Sequence, residues 1–292
     1  MAYLKYAIPE HTMTIQEAQQ QLLFQLFHIY EEREARNIAD LVMEHVTEWK
    51  RIDRVINKSV PLSIVKEKQL AEFTAKLLDH TPVQYVLHES WFSGLKFYVD
   101  ENVLIPRPET EELVDWICTE SSTGMMLDIG TGSGCIPVSI KKKLPIADIH
   151  ACDVSGSALI VAQKNANENK TPIQFHQLDF LDPEQRKSLP SFDIIVSNPP
   201  YIPQKDKPEM HKNVLNHEPH IALFVEDDDP LIFYKAIASF ATDHLKKDGA
   251  IYMEIHERLG RDVLRLFNES GFTKTILRKD LQEKDRMVKA MR

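Results

Sequence analysis

"LDIGTGSGCIPVSI", residues 127–140, sets Gly130, Gly132 and Gly134 between a stretch that reads as a strand and one that reads as a helix. Glycine reaches φ/ψ values closed to other residues, and without a Cβ it lets a ligand come up against the backbone. In open α/β sheets ligands bind at the carboxyl ends of the strands, where a loop of this kind falls. One strand, loop and helix do not make a fold, so the flanking sequence decides.

Downstream of residue 124, strand-like and helix-like segments alternate: MMLDI, IPVSIKKKL, ADIHACD, ALIVAQKNANEN, IQFHQLD, FDIIVS, PLIFYKAIASFATDHL, GAIYMEI and RDVLRLFNES. The alternation predicts parallel strands joined by crossover helices, a doubly wound α/β sheet. The final FTKTILRKDLQEKDRMVKAMR departs from it, and its two strand-like runs around a polar centre predict an antiparallel hairpin at the sheet edge. Upstream, from Thr14 to about His80, apolar residues recur at helical spacing: Ala18, Leu22, Leu23, Leu26 and Phe27, then Ile38, Leu41, Val42 and Val46, then Ile64, Leu70, Phe73, Leu77 and Leu78. They predict a small helical bundle, with Pro61 placed to start its last helix. Between the two regions, aromatic and β-branched stretches broken at Ser93-Gly94 and at Asp100 to Asn102 suggest a hairpin. The expected organisation is a helical domain over 1–80, a β-hairpin linker over 81–105 and the α/β domain over 106–292.

At 292 residues, with 43% hydrophobic and 27% charged residues, the chain suits two globular domains. Its formal charge of -9, from 44 acidic against 35 basic residues, disfavours a nucleic-acid partner. Cys118, Cys135 and Cys152 make neither an even disulfide framework nor a CxxC pair, so reduced core thiols are expected and no metal site. No apolar run approaches the roughly 20 residues of a bilayer span, and MAYLKYAIPEHTM lacks a signal-peptide core, so a cytoplasmic protein away from membranes is expected.

Asp153 ends the next strand 23 residues after Gly130, the range for a carboxylate that accepts from ribose hydroxyls. Two nucleoside cofactors fit, a dinucleotide and S-adenosylmethionine. A dinucleotide fingerprint needs its third glycine at position 135, where Cys135 stands, and S-adenosylmethionine has no pyrophosphate to seat. Asp128 could hold that cofactor's ammonium or cap the loop's own amides. In "HQLDFLD", Asp179 and Phe180 could accept from an adenine amino group and pack on its ring, or simply turn the chain.

The fourth parallel strand runs into Asn198-Pro199-Pro200-Tyr201. Prolines end a sheet ladder, and that alone would explain them. At the carboxyl edge beside the glycine loop they suit another task. The Asn198 oxygen and the Pro199 carbonyl can accept from both N–H groups of a planar amide, and Tyr201 can offer a flat face. Such an amide is a poor nucleophile that needs orientation and acceptors for its N–H groups rather than a metal or a strong base. In "IPRPET", Thr110 could cap the following helix, and Arg107, stiffened by two prolines, could aim at a carboxylate or carbonyl or form a surface ion pair.

Taken in order after a helical N-terminus, LIPRPETEELV, LDIGTGSGCI, ACDVS, IIVSNPPYI and HEPHIALF resemble the PrmC/HemK family of peptide chain release factor glutamine methyltransferases. The resemblance implies a class I S-adenosylmethionine-dependent methyltransferase fold, Rossmann-like with a mostly parallel seven-stranded sheet. It implies methyl transfer to N5 of the glutamine in the Gly-Gly-Gln motif of class I release factors, leaving S-adenosylhomocysteine. By motif position Gly130, Thr131, Gly132, Ser133, Gly134, Asp153, Phe180 and Asn198 would bind the cofactor. Asn198, Pro199, Pro200 and Tyr201 would grip the glutamine amide, with Arg107 also on the substrate. Where Phe180 stands the family often has tryptophan, so the aromatic face is kept without an indole N–H. His217-Glu218-Pro219 would brace the active-site wall, and the bundle would dock the protein substrate. Glutamine methylation of a ribosomal protein, adenine or guanine amino methylation in nucleic acid, and a cofactor-binding protein without turnover are the competing expectations; the IPRPET run and the helical N-terminus favour the release factor.

Overall fold

In a computed structural model, which describes residues 12–292, the chain divides between Leu87 and His88 into two compact units. The 1–11 stretch, read above as lacking a signal-peptide core, lies outside the described residues. Among the described residues no helix is long and apolar enough to cross a membrane.

The helical unit contains α1 (Ile15–Leu26), α2 (Glu32–Thr47), α3 (Arg51–Ile56), α4 (Ile64–Leu78) and α5 (Val83–Leu87). Thr14 caps α1 in a reciprocal box with Glu17, and Ser63 caps α4 by accepting from the Lys66 N–H. Pro61 therefore does not start the last helix; it lies ahead of the cap and bridges to Thr14. Leu22, Leu26, Val42, Met43 and Leu77 form the core, and the fully buried Ala18, Ala35 and Ala39 let the helices close. Phe27, Leu41, Ile64 and Leu78 are exposed instead. Three of them stand at helix ends.

The second unit opens with the hairpin β1 (Ser90–Phe92) and β2 (Leu95–Phe97), turned by Ser93 and Gly94 at φ of 50° and 74°. Phe92 and Phe97 are buried with Leu113 and Ile136, so the hairpin shares this unit's core, while residues 81–87 go with the helices. There follow α6 (Pro108–Glu120), β3 (Met125–Ile129), α7 (Cys135–Lys143), β4 (Asp148–Asp153), α8 (Gly156–Glu168), β5 (Gln174–Gln177), α9 (Pro183–Arg186) and β6 (Phe192–Ser197). After these come β7 (Ile202–Pro203), α10 (Lys212–His217), β8 (Phe224–Val225), α11 (Ile232–His244), β9 (Leu245–Glu254), α12 (Gly260–Glu269), β10 (Lys274–Lys279) and β11 (Asp285–Met291).

Seven strands make one sheet in the order β10-β11-β9-β6-β3-β4-β5. β9, β6, β3, β4 and β5 are parallel to their neighbours in this run, and β10 and β11 form the expected antiparallel hairpin. Side chains alternate between two cores: Leu127, Ile129 and Ile195 on one face, Met126, Ile194 and Val196 on the other. Burial on both faces is why these strands read as continuous apolar runs. β3 lies between β4 and β6, so the chain leaves it in opposite directions, and a crevice opens at its carboxyl end.

Candidate active site

In that crevice lies a cavity of about 240 Å³. Gly130, Gly132, Asp153, Phe180, Asn198, Pro199 and Pro200 line it together; Thr131, Ser133, Gly134, Tyr201 and Arg107 do not.

The three glycines do different things. All hold positive φ, 72° at Gly130, 53° at Gly132 and 78° at Gly134, a region costly for other residues. A Cβ on Gly130 or Gly132 would meet no protein atom within 4 Å, whereas one on Gly134 would meet the Ala162 Cβ at 3.1 Å. The first two thus leave room for a ligand, and the third lets α7 pack on α8. Asn165 of α8 supports the loop from behind: its amide exchanges hydrogen bonds with the Tyr98 N–H and carbonyl at 2.7 and 2.9 Å and donates to the Ser133 carbonyl at 2.8 Å.

Asp153 accepts from the Gly132 N–H on one oxygen and the Ser155 N–H on the other, both at 2.9 Å. Burial raises its pKa and these amides oppose the rise. Each oxygen keeps acceptor capacity toward the cavity. Asp128, fully buried, has no hydrogen-bond partner on either oxygen among the described residues, and the nearby Thr131 hydroxyl also has none. Burial pushes the Asp128 carboxyl up to about 7, with Thr131 opposing and Asp153 adding. A buried, unpaired carboxylate next to an open glycine loop fits the ammonium of S-adenosylmethionine, so the residues present suit that cofactor. Phe180 is buried at the wall, edge-on to Phe240, its carbonyl held by Arg186 at 2.7 Å. Asp179 both lines the cavity and turns the chain, accepting from the Leu181 N–H at 2.9 Å.

Asn198 follows β6, whose last residue, Ser197, donates to the Ile129 carbonyl at 2.8 Å and ties it to β3. The Asn198 Nδ2 donates to Thr110 Oγ1 at 3.2 Å, and Thr110 donates to Glu254 Oε2 at 2.6 Å. Tyr201 turns into the wall and donates to Glu254 Oε1 at 3.0 Å. Glu254 is buried, which raises its pKa against the lowering effect of Thr110, Tyr201 and Arg286. Burial and Glu254 push the Tyr201 hydroxyl up, so it remains a donor. Thr110 is not the cap of its helix. α6 begins earlier, at Pro108, with Arg107 in the cap position and no side-chain cap, so Thr110 lies in the first turn and faces inward.

Arg107 pairs with Glu218 at 2.6 Å, and Glu218 also accepts from the Ile105 N–H at 3.2 Å. This is not a surface ion pair: Glu218 is only 3% exposed, and the next residue, Pro219, lines the cavity. Arg107→Ala would strand a buried carboxylate and is expected to destabilise the protein by about 2 kcal/mol, less than a fully buried pair because Arg107 is one third exposed. Glu218→Gln, which removes the charge as well, is expected to cost less. Urea denaturation of the two variants checks the order, and equal losses would mean that the stranded charge is not the cause.

Sequence reading missed Glu254 and the inward role of Thr110. The available signal is the carboxylate of Glu254 near the end of GAIYMEI, a charged side chain on an otherwise apolar strand. Cys152 lines the cavity and Cys135 is buried; burial pushes the Cys135 thiol up to about 12 and the Cys152 thiol further, so neither is a ready nucleophile.

A mostly parallel seven-stranded sheet with an antiparallel edge hairpin and this crevice define the class I S-adenosylmethionine-dependent methyltransferase fold. Residues 109–221 match the family model of the methyltransferase small domain, and residues 15–87 that of the PrmC N-terminal domain. The release factor glutamine methyltransferase of Flavobacterium psychrophilum is 44% identical over 95% of this chain and 99% of its own length. That of Bacteroides thetaiotaomicron is 39% identical over 90% and 95%. The chain belongs to the release factor glutamine methyltransferase family. Among solved structures, a methyltransferase from Pyrococcus furiosus has a TM-score of 0.51 at 18% identity, covering 75% of this chain and 98% of its own. The hMettl16 catalytic domain, in complex with the MAT2A 3'UTR hairpin 6, has a TM-score of 0.54 at 15% identity, covering 78% and 82%. At these identities both show the fold alone.

Proposed function

We propose that this enzyme moves the methyl group of S-adenosylmethionine to N5 of the glutamine in the Gly-Gly-Gln motif of class I peptide chain release factors. The observation that carries the reading is the Asn198-Pro199 edge. Among the described residues no donor reaches the Asn198 oxygen or the Pro199 carbonyl, so two acceptors stand free on the wall shared with Gly130, Gly132 and Asp153. A primary amide offers two N–H groups and a delocalised lone pair. Asn198 Oδ1 and the Pro199 carbonyl would accept one N–H each, favouring the positive charge that builds on nitrogen and orienting it for attack. S-adenosylmethionine, when bound, supplies an electrophilic sulfonium methyl. Gly130 and Gly132 would admit its amino-acid end, Asp128 its ammonium, Asp153 its ribose hydroxyls and Phe180 the face of its adenine. Tyr201 and Arg107 support the wall through Glu254 and Glu218.

Docking of the folded release factor falls to the helical unit, where Ile52, Val55, Ile56 and Val65 are exposed on α3 and early α4. A protein substrate also suits the charge of -9 better than a nucleic acid does. The test is mass spectrometry of an unmethylated release factor incubated with the enzyme and S-adenosylmethionine. One added methyl on the Gly-Gly-Gln glutamine is the expected result. Transfer to ribosomal protein or RNA in the same assay, with none to the release factor, would overturn the substrate.

A further inference from the structure

An asparagine amide can grip an N–H only if its oxygen, not its NH2, faces the substrate, and the two ends are nearly the same size. Something must choose between them. Here the choice follows from counting protons. Glu254 accepts on both of its oxygens, from the Thr110 hydroxyl at 2.6 Å and the Tyr201 hydroxyl at 3.0 Å. Thr110 has one hydroxyl proton, so with that proton on Glu254 its oxygen can only accept from its other neighbour. That neighbour is the Asn198 side chain at 3.2 Å, which must therefore present Nδ2 to Thr110. A rotation of the amide by half a turn would set two acceptor oxygens against each other. The Asn198 oxygen is left for the cavity.

We infer that Thr110 and Glu254 are positioning residues that hold the Asn198 side-chain oxygen toward the methyl acceptor. The inference rests on the amide-clamp reading of Asn198 and extends it to two side chains that do not line the cavity. The three residues come from the first turn of α6, the end of β6 and the end of β9. Tyr201 holds the second oxygen of Glu254, so the carboxylate cannot swing away from Thr110 without losing a buried donor.

Thr110→Val keeps the shape and removes the hydroxyl, so the Asn198 amide is free to turn over. Its kcat is expected to fall roughly ten- to thirtyfold, with cofactor affinity by calorimetry within about threefold of wild type. Thr110→Ser restores the hydroxyl and should recover most of the rate. A residue acting through Asn198 has nothing left to lose once Asn198 is gone, so the double variant Asn198→Ala with Thr110→Val should be no slower than Asn198→Ala alone. A merely structural role would give multiplicative losses and a fall in cofactor affinity. Rates are compared on whichever acceptor the wild-type enzyme methylates, so an unexpected substrate would revise the proposed function and still read this inference. Thr110→Val within about twofold of wild type, or multiplicative losses in the double variant, would overturn it.

Discussion

Asn198→Ala is expected to lower kcat by roughly a hundred- to a thousandfold, the scale seen when one preorganised polar group is taken from a site of developing charge. The expectation comes from what the side chain does not contact. Its NH2 is taken by Thr110, its oxygen meets no donor among the described residues, and it stands half-buried on the cavity wall. An acceptor held on a cavity wall with no protein donor is free to take an N–H of the ligand. The substrate amide becomes a better nucleophile only as its lone pair leaves the carbonyl, and the charge this puts on nitrogen is stabilised by acceptors fixed in advance. Alanine removes one acceptor and leaves the Pro199 carbonyl, so the loss should fall in kcat. Cofactor affinity should stay within about threefold, since the Asp153 and glycine-loop contacts are untouched. Steady-state kinetics on a release factor, with calorimetry for the cofactor, separates the two quantities. A variant that keeps full kcat would remove Asn198 from the chemistry.

Those parts of the site that rest on local sequence are legible without coordinates. The glycine loop, Asp153 at the end of the next strand and Asn198-Pro199 after the fourth parallel strand each follow from strand ends and from residues with unusual backbone rules. The edge hairpin is legible for the same reason, because a polar turn interrupts two β-like runs. What stays hidden depends on partners far apart in the chain. Thr110 and Glu254 are 144 residues apart, and nothing near Thr110 says that its hydroxyl faces inward. A threonine ahead of a helical run reads as a cap, but Pro108 starts that helix two residues sooner. Glu218 reads as part of a bracing loop, yet only the fold shows that its carboxylate is buried against Arg107 and the Ile105 amide. The exposure of Leu41 and Phe27 is hidden likewise, since periodicity marks a stripe and not which of its residues a neighbouring helix covers.

Asp153→Ala should weaken S-adenosylmethionine binding by about a hundredfold, on the basis that a hydrogen bond to a charged group contributes roughly 1.5–3 kcal/mol. Two losses combine. The carboxylate no longer accepts from the cofactor's hydroxyls, and the Gly132 and Ser155 N–H groups that it holds at 2.9 Å are released. Gly132 sits at a φ of 53° with open space where a Cβ would be, and its N–H is held by Asp153, so the loss of that carboxylate is felt at the point of the loop nearest the ligand. Tyr201→Phe serves as the contrast: it removes the hydroxyl on Glu254, away from the cavity, and should leave cofactor affinity within about threefold while slowing transfer. Calorimetric titration of both variants reads the difference directly, and thermal melts with and without cofactor show whether Asp153→Ala still folds but no longer gains stability from the ligand. Equal affinity losses in the two variants would mean that the cofactor leans on the Glu254 side of the wall, and the division between a cofactor-binding carboxylate on β4 and an amide-positioning carboxylate on β9 would fall.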